Sequence, residues 1–334
     1  MSEPVVRCAA CGVELAPGML ACPACRKLVH ADRLKALSAE AESAHREGRL
    51  TEALTQWREV LDLLPPGVKQ RVAVEERIRR IGEAVDRGES APARAKGRGA
   101  KLAAGAGALA LLGWNLKFVL ISALGKAKLL LTGLTSIPTL LSMFAWMALD
   151  RSRGVLFALG ILVSIYIHEM GHVSALRLYG IKATAPMFVP GLGALVRLRQ
   201  YPIDAREDAR VGLAGPIWGA AAAAVALAVG LVTREPTWLS VASVGALINV
   251  FNLIPFWQLD GARGFRALGT RERGIIVTLA ALTALVSGQA MGWVVCAVGA
   301  VRMKSDVPRQ SDPRALRSFA GLLVALTVIG WAGG

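Results

Sequence analysis

The sequence predicts a mainly α protein, a polytopic membrane helix bundle with a short β element, carried behind a small soluble head. Three observations predict it. The chain of 334 residues is 54% hydrophobic, and from residue 102 onward it contains several apolar runs near the ~20 residues a helix needs to cross a bilayer. The residues before that point are polar and charged. Between the two parts, residues 87–100 turn to Gly, Ser, Ala, Pro and Arg without periodicity, the composition of a flexible basic linker that ends at a membrane surface. The expected organisation is a cysteine-bearing module at 1–30, a helical segment at 31–87, a linker at 88–101 and a membrane domain at 102–334.

The first element carries Cys8-Ala9-Ala10-Cys11 and Cys22-Pro23-Ala24-Cys25, two CxxC knuckles separated by ten residues. Four thiolates at this spacing suit a closed tetrahedral Zn²⁺ site of structural type, which folds a segment too short for a core of its own. A disulfide pair or a redox couple would compete. The stretch 1–7 has no apolar core of a cleavable leader, so a reducing cytosol is expected, and with it a zinc ribbon.

Residues 32–87 are helical by pattern. Gly48, Ala53, Trp57 and Pro65 resemble one tetratricopeptide repeat, with Ala41 and Ala44 at the small positions where its two helices would touch. Arrays of such repeats need about three units for stability, so the expectation is a helical hairpin plus a third helix near 72–85. It offers a protein partner a surface, or serves as a spacer. His30 and His45 read as surface residues.

In the membrane domain, the run 102–124 is interrupted or flanked by Lys117, Lys126 and Lys128, and is expected to lie partly along the interface. The run 129–149 is expected to span, followed by spans at 154–178, 209–232 and 238–256. A stretch at 275–301 broken at Gly288-Gln289 reads as a hairpin of short helices, and a last span covers 316–331. In Ala194-Leu195-Val196-Arg197-Leu198-Arg199 the alternation from Leu195 on has a strand's period of two. An unwound peptide could add to the edge of such a strand, or the strand could have no partner. Gly215 and Gly219, four apart, offer a close helix contact. Cys296 reads as packing.

The net charge of +15 raises nucleic acid as a partner. However, the basic residues fall in the linker (Arg94, Lys96, Arg98, Lys101) and in short inter-helix loops (Arg197, Arg199, Arg263, Arg271, Arg302, Lys304), the pattern of positive-inside topology. The bilayer is the expected partner, nucleic acid is not, and the head is expected in the cytosol beneath a cell membrane, inner or plasma.

His168-Glu169-Met170-Gly171-His172 lies inside the apolar run 154–178. Burying an acid at mid-bilayer costs roughly 3 kcal/mol, and the chain has only 4 His in all. Two histidines four apart share a helix face and can hold one Zn²⁺, with Glu169 beside it as the proton acceptor. Catalytic zinc usually keeps three protein ligands and an open position. Asp260, at the end of the 238–256 run and its Pro255-containing extension, supplies the third. Pro255 opens the helix there to admit water and substrate, or is an ordinary transmembrane kink.

These residues carry a resemblance. His168-Glu169-x-x-His172 followed by Asn252-x-x-Pro255-x-x-x-Leu259-Asp260-Gly261 resembles the paired signature of the site-2 protease family, intramembrane zinc metalloproteases. Ala214-Gly215-Pro216 opens the intervening helix as in that family, and 186–199 resembles its membrane-associated loop and strand. The resemblance covers about residues 114–301. It implies that His168, His172 and Asp260 bind zinc, that Glu169 is the general acid/base, and that Asn252 holds the substrate or its developing oxyanion. The substrate would be a transmembrane or membrane-adjacent protein, and the head would select it or regulate its access. A catalytically silent membrane adaptor or sensor on the same scaffold is the alternative reading, against which the intact Glu169 and Asp260 argue. A metal transporter would want ligands on several helices, and the other segments offer almost none.

Overall fold

In the computed structural model the described residues are 6–89, 154–182, 187–189, 193–195 and 200–334. The expected linker beyond residue 89, the runs 102–124 and 129–149, and the strand positions 196–199 lie outside the described residues.

The head begins with a two-residue antiparallel pairing of β1 (Val6–Arg7) with β2 (Glu14–Leu15) and an isolated bridge between Ala21 and Leu28. So little backbone pairing cannot hold a fold. What lies at its centre is Cys8, Leu15 and Cys22, all buried. Three helices follow: α1 (Ala31–Arg46), α2 (Leu50–Asp62) and α3 (Lys69–Asp86). The turn between α1 and α2 uses Gly48 at φ +73°, and the Arg49 amide donates back to the Ala44 carbonyl at 2.8 Å, a left-handed helix stop that a side chain would strain. Ala41, Ala44 and Ala53 are fully buried where the helices meet, and Leu54, Trp57 and Ile78 fill the rest of the core.

The membrane body contains α4 (Gly154–Leu178), the antiparallel hairpin β3 (Met187–Val189) and β4 (Gly193–Leu195), then α5 (Ala205–Thr233) and α6 (Pro236–Asn252). It continues through α7 (Asp260–Arg266), α8 (Thr270–Ser287), α9 (Ala290–Val301) and α10 (Pro313–Gly333). Of the described helices, α4, α5 and α10 are long and apolar enough to cross a membrane. Helix α5 is the spine, packed against α4, α6, α7 and α10. At 29 residues it is about 44 Å long, and its first turn, capped by Asp204 accepting from the Glu207 amide at 2.8 Å, carries charge beyond the apolar part.

Boundaries differ from the sequence expectation where caps decide them. Helix α5 starts at Ala205 because Asp204 caps it. Helix α6 stops at Asn252, and 253–259 leaves the helix before Pro255, since the residue ahead of a proline is disfavoured in helical geometry. Asp260 therefore does not end a span; it opens the separate short helix α7. Between α8 and α9 the break falls at Gly288, φ +70°. The observed strand β4 begins at Gly193 and faces Met187 to Val189 across the hairpin.

The head is docked on the body, where the sequence implied a tether. Arg58 of α2 is only 2% exposed; its Nε donates to the Tyr179 carbonyl at 2.9 Å and its guanidinium pairs with Glu207 of α5. Around it, Gln200 donates to Asp62 at 2.6 Å, Lys182 to Glu59 at 2.8 Å and Arg206 to Glu83 at 2.6 Å. Gly180, φ +66°, lets the chain pass close to α2, since a Cβ there would lie 2.6 Å from the Thr55 nitrogen. Ile203 packs into the head's own core. Burial pushes the Arg58 guanidinium down from its usual range, opposed by the charges of Glu207, Asp62 and Asp204.

Candidate metal centre

Helix α4 places His168, Glu169 and His172 on its buried side, all within a segment of spanning length. Asp260 arrives from the first residue of α7. The turn that delivers it is tight: Leu253 is fully buried, and a Cβ on Gly261 would lie 1.9 Å from the Leu253 carbonyl oxygen. Trp257 sits in the left-handed region at φ +48°, uncommon for a bulky side chain.

The three side chains meet. His168 Nε2 lies 3.1 Å from Asp260 Oδ2, His172 Nε2 lies 3.3 Å from Asp260 Oδ1, and the two Nε2 atoms are 3.2 Å apart. Tetrahedral ligands at ~2.0 Å from a metal stand ~3.3 Å from one another, so these donor atoms are spaced as ligands of one ion. Two imidazoles and a carboxylate are a donor set that suits zinc.

The other imidazole nitrogens are spoken for. His168 Nδ1 donates to Asn249 Oδ1 at 2.8 Å, and the Asn249 amide donates in turn to the Gly245 carbonyl at 2.8 Å. His172 Nδ1 donates to the Val211 carbonyl at 2.8 Å. Both hydrogen bonds fix the tautomer that leaves Nε2 free to bind a cation. Helix α5 supplies the space: a Cβ on Gly215 would lie 2.2 Å from His172 Nε2, and one on Gly219 would lie 2.0 Å from Asn249 Oδ1. Pro216, inside α5, leaves the Gly212 carbonyl without its helical partner and loosens the turn from which Val211 reaches His172. Glu169 is buried and makes no side-chain hydrogen bond among the described residues, which leaves its carboxylate available to water.

Asn252 is half-buried at the end of α6 and has no side-chain hydrogen bond among the described residues. Asn249, one turn earlier, is the asparagine in contact with the site, and sequence reasoning passed over it. The signal was present: a polar side chain inside an apolar run is costly unless it is paired. The carbonyl of Val211 had no sequence signal, because a backbone acceptor belongs to every residue.

The head holds a second cluster. Cys8 and Cys25 sulfurs are 3.7 Å apart and those of Cys11 and Cys22 3.5 Å, close to the ~3.8 Å expected around one ion at ~2.3 Å from each sulfur. All four lie within 4.8 Å of one another. Hydrogen bonds from the Ala10 and Cys11 amides hold the Cys8 thiol down to about 6, in the direction of the thiolate, the form that ligates metal. The Val13 amide pulls Cys11 the same way, but the Cys22 thiol beside it, burial, and the Cys25 and Cys8 thiols push it up to about 12. Four sulfurs this close cannot all ionise without a cation between them.

Residues 156–240 match the family model described as Peptidase family M50. A zinc metalloprotease of Methanocaldococcus jannaschii is 28% identical over 127 residues, 36% of this chain and 36% of that protein. A probable chloroplastic zinc metalloprotease of Oryza sativa subsp. indica is 29% identical over 191 residues, 42% of this chain and 35% of that protein. Its counterpart in Arabidopsis thaliana is 28% identical over 178 residues, 39% and 32% of the two chains. The chain thus spans about a third of the length of the curated relatives it matches. No solved structure matches it. The family model covers α4, the β3–β4 hairpin, α5 and the first residues of α6, so the likeness to peptidase family M50 rests on the helix that carries His168, Glu169 and His172 and on the helix that shapes the space around them.

Proposed function

We propose that the chain is an intramembrane zinc endopeptidase of site-2 type, hydrolysing peptide bonds of transmembrane or membrane-adjacent proteins. One observation carries the reading: His168, His172 and Asp260 present ligand atoms 3.1 to 3.3 Å apart, beside a buried Glu169, on and against a helix of spanning length. Zinc held there would polarise a scissile carbonyl and acidify a water molecule. The chain's own residues do the rest. Glu169 takes a proton from the attacking water and delivers it to the leaving amine nitrogen. Asn249 and the Val211 carbonyl keep both imidazoles aimed at one point, so no reorganisation is needed as charge develops. Asn252, in this reading, holds the unwound substrate or its oxyanion. A substrate helix must open before its amide is accessible, and the β3–β4 hairpin, with β4 running beside α4, supports adding the opened segment as a further strand.

The same reading gives the head a structural zinc at Cys8, Cys11, Cys22 and Cys25 and a cytosolic location. Its docking on α5 supports a role in regulating access to the site. The test is a comparison of membrane-protein fragments in cells carrying wild type or Glu169→Gln. Fragments that disappear in the variant support a protease; identical fragment sets would favour the catalytically silent adaptor.

A further inference from the structure

A cleft of about 400 Å³ opens where the head meets the body, and the mechanism makes no use of it. Its lining comes from the end of α3, the end of α4 and the first turns of α5 and α10. The three described helices long enough to cross a membrane therefore all bring a polar end to this one place. If they span, the cleft lies at the level of the lipid headgroups.

Its chemistry is cationic on one side and apolar on the other. Arg210, Arg314 and Arg317 line it together with Val85, Leu178 and the Tyr179 ring. Asp86 pairs with Arg210 at 3.2 Å and lies 3.8 Å from Arg314, and Asp312 pairs with Arg210 at 2.6 Å. Three guanidiniums thus face two carboxylates, with one positive charge left over. That charge belongs to Arg317, which is exposed and makes no ion pair among the described residues. From Arg317 an open face runs along α10 through Gly321, Val324 and Val328, all exposed. A Cβ at Gly321 would meet nothing within 4 Å among the described residues, so this face of α10 is apolar and open beside the charge.

We propose that this cleft binds one anionic phospholipid, its phosphodiester against Arg317 and Arg314 and an acyl chain along the Gly321–Val324–Val328 face of α10. One net positive charge matches the single negative charge of a phosphatidylglycerol-type headgroup. The volume falls within the ~300–1,000 Å³ of small-molecule sites, and basic pockets between helices at a cytoplasmic membrane face are suited to such headgroups. Asp86 ties the site to the head, because it also accepts from the Tyr179 hydroxyl. A bound lipid would thereby brace the docking of α3 on α4, α5 and α10. The proposal rests on reading these helices as spanning.

The test uses full-length protein in a neutral detergent, with retained lipid counted by native mass spectrometry. Dioleoylphosphatidylglycerol is titrated against dioleoylphosphatidylcholine in wild type, Arg317→Lys, Arg317→Glu and, as a control elsewhere on the same basic surface, Arg271→Glu. Wild type, Arg317→Lys and Arg271→Glu should each retain one phosphatidylglycerol with a clear preference over phosphatidylcholine. Removing one interfacial cation lowers that preference about fivefold, and the charge reversal in Arg317→Glu lowers it further. Equal retention of both lipids by wild type, or an unchanged preference in Arg317→Glu, would overturn the proposal. So would inorganic phosphate displacing the lipid at equal concentration, which would mark the cleft as a site for a soluble phosphate. Solubility of the full chain without detergent would overturn both the lipid site and the spanning reading beneath it.

Discussion

Asn249 shows how much of this site depends on side chains that would never touch the substrate. Its carbonyl oxygen takes the His168 Nδ1 proton at 2.8 Å while its amide is anchored to Gly245. Asn249→Ala should leave the helices folded but free the imidazole to rotate, lowering zinc affinity at the His168–His172–Asp260 site about 10- to 100-fold; competition with a chelator of known affinity measures it. An unchanged affinity would mean that helix packing alone orients His168. At this scale the sequence was legible where a residue type is expensive in a membrane. His168, Glu169, His172 and Asp260 announced themselves because ionisable groups do not enter apolar runs without a partner. Asn249 is cheaper than an acid and lay beside a motif that drew attention to Asn252. The Val211 carbonyl could be found only with the backbone in place.

At the scale of the element, α5 links the parts. Glu207, Val211, Gly215 and Gly219 recur every four residues along one stripe. In order they meet Arg58 of the head, the Nδ1 of His172, the two imidazole rings and Asn249. Gly215 and Gly219 were read from sequence as a close helix contact, and the contact is with His168, His172 and Asn249. Gly215→Ala should therefore abolish metal binding at this site, since its methyl carbon would lie 2.2 Å from His172 Nε2, whereas Gly321→Ala, which meets nothing within 4 Å, should change metal content little. Metal analysis of the two purified variants separates a packing requirement peculiar to the site from a general intolerance of added methyl groups. The lengths of α4, α5 and α10 were close to legible because apolar runs fix them. The ends of α4 fell where its apolar run ends, but those of α5, α6 and α10 did not, because Asp204, Pro255 and Asp312 act through local hydrogen bonds and φ restrictions that hydropathy does not register.

At the scale of the molecule, the finding that no pattern in the sequence foretold is the docking of the head. Most of its contacts pair residues more than 120 positions apart, Arg58 with Tyr179 and Lys182 with Glu59 among them, and each charged partner taken alone looks like an ordinary surface charge. Arg58→Ala would strand the Glu207 carboxylate in a buried site, a loss of about 3–5 kcal/mol of docking and fold stability. Replacing both partners together, Arg58→Met with Glu207→Leu, should recover most of it, because the pair contributes more to specificity than to net stability. Thermal unfolding of single and double variants in one detergent reads the difference. Equal destabilisation by the single and the double change would show that the pair's hydrogen bonds, and not the unpaired charge, hold the head in place. For the ribbon, Cys8→Ser with Cys11→Ser should release its metal and unfold residues 6–30 while the buried core of α1–α3 stays protected in hydrogen exchange, since that core is built from Leu54, Trp57 and Ile78 and not from the cysteines.

The most direct measurement of the central claim is metal content and proteolysis on the same purified full-length proteins: wild type, Glu169→Gln and Asp260→Ala. Removing a proton acceptor leaves three ligands in place, whereas removing a ligand leaves two. Glu169→Gln should keep the wild-type zinc content and lose peptide hydrolysis, and Asp260→Ala should lose one equivalent of zinc and hydrolysis together. Wild-type zinc and activity in Asp260→Ala would contradict the account.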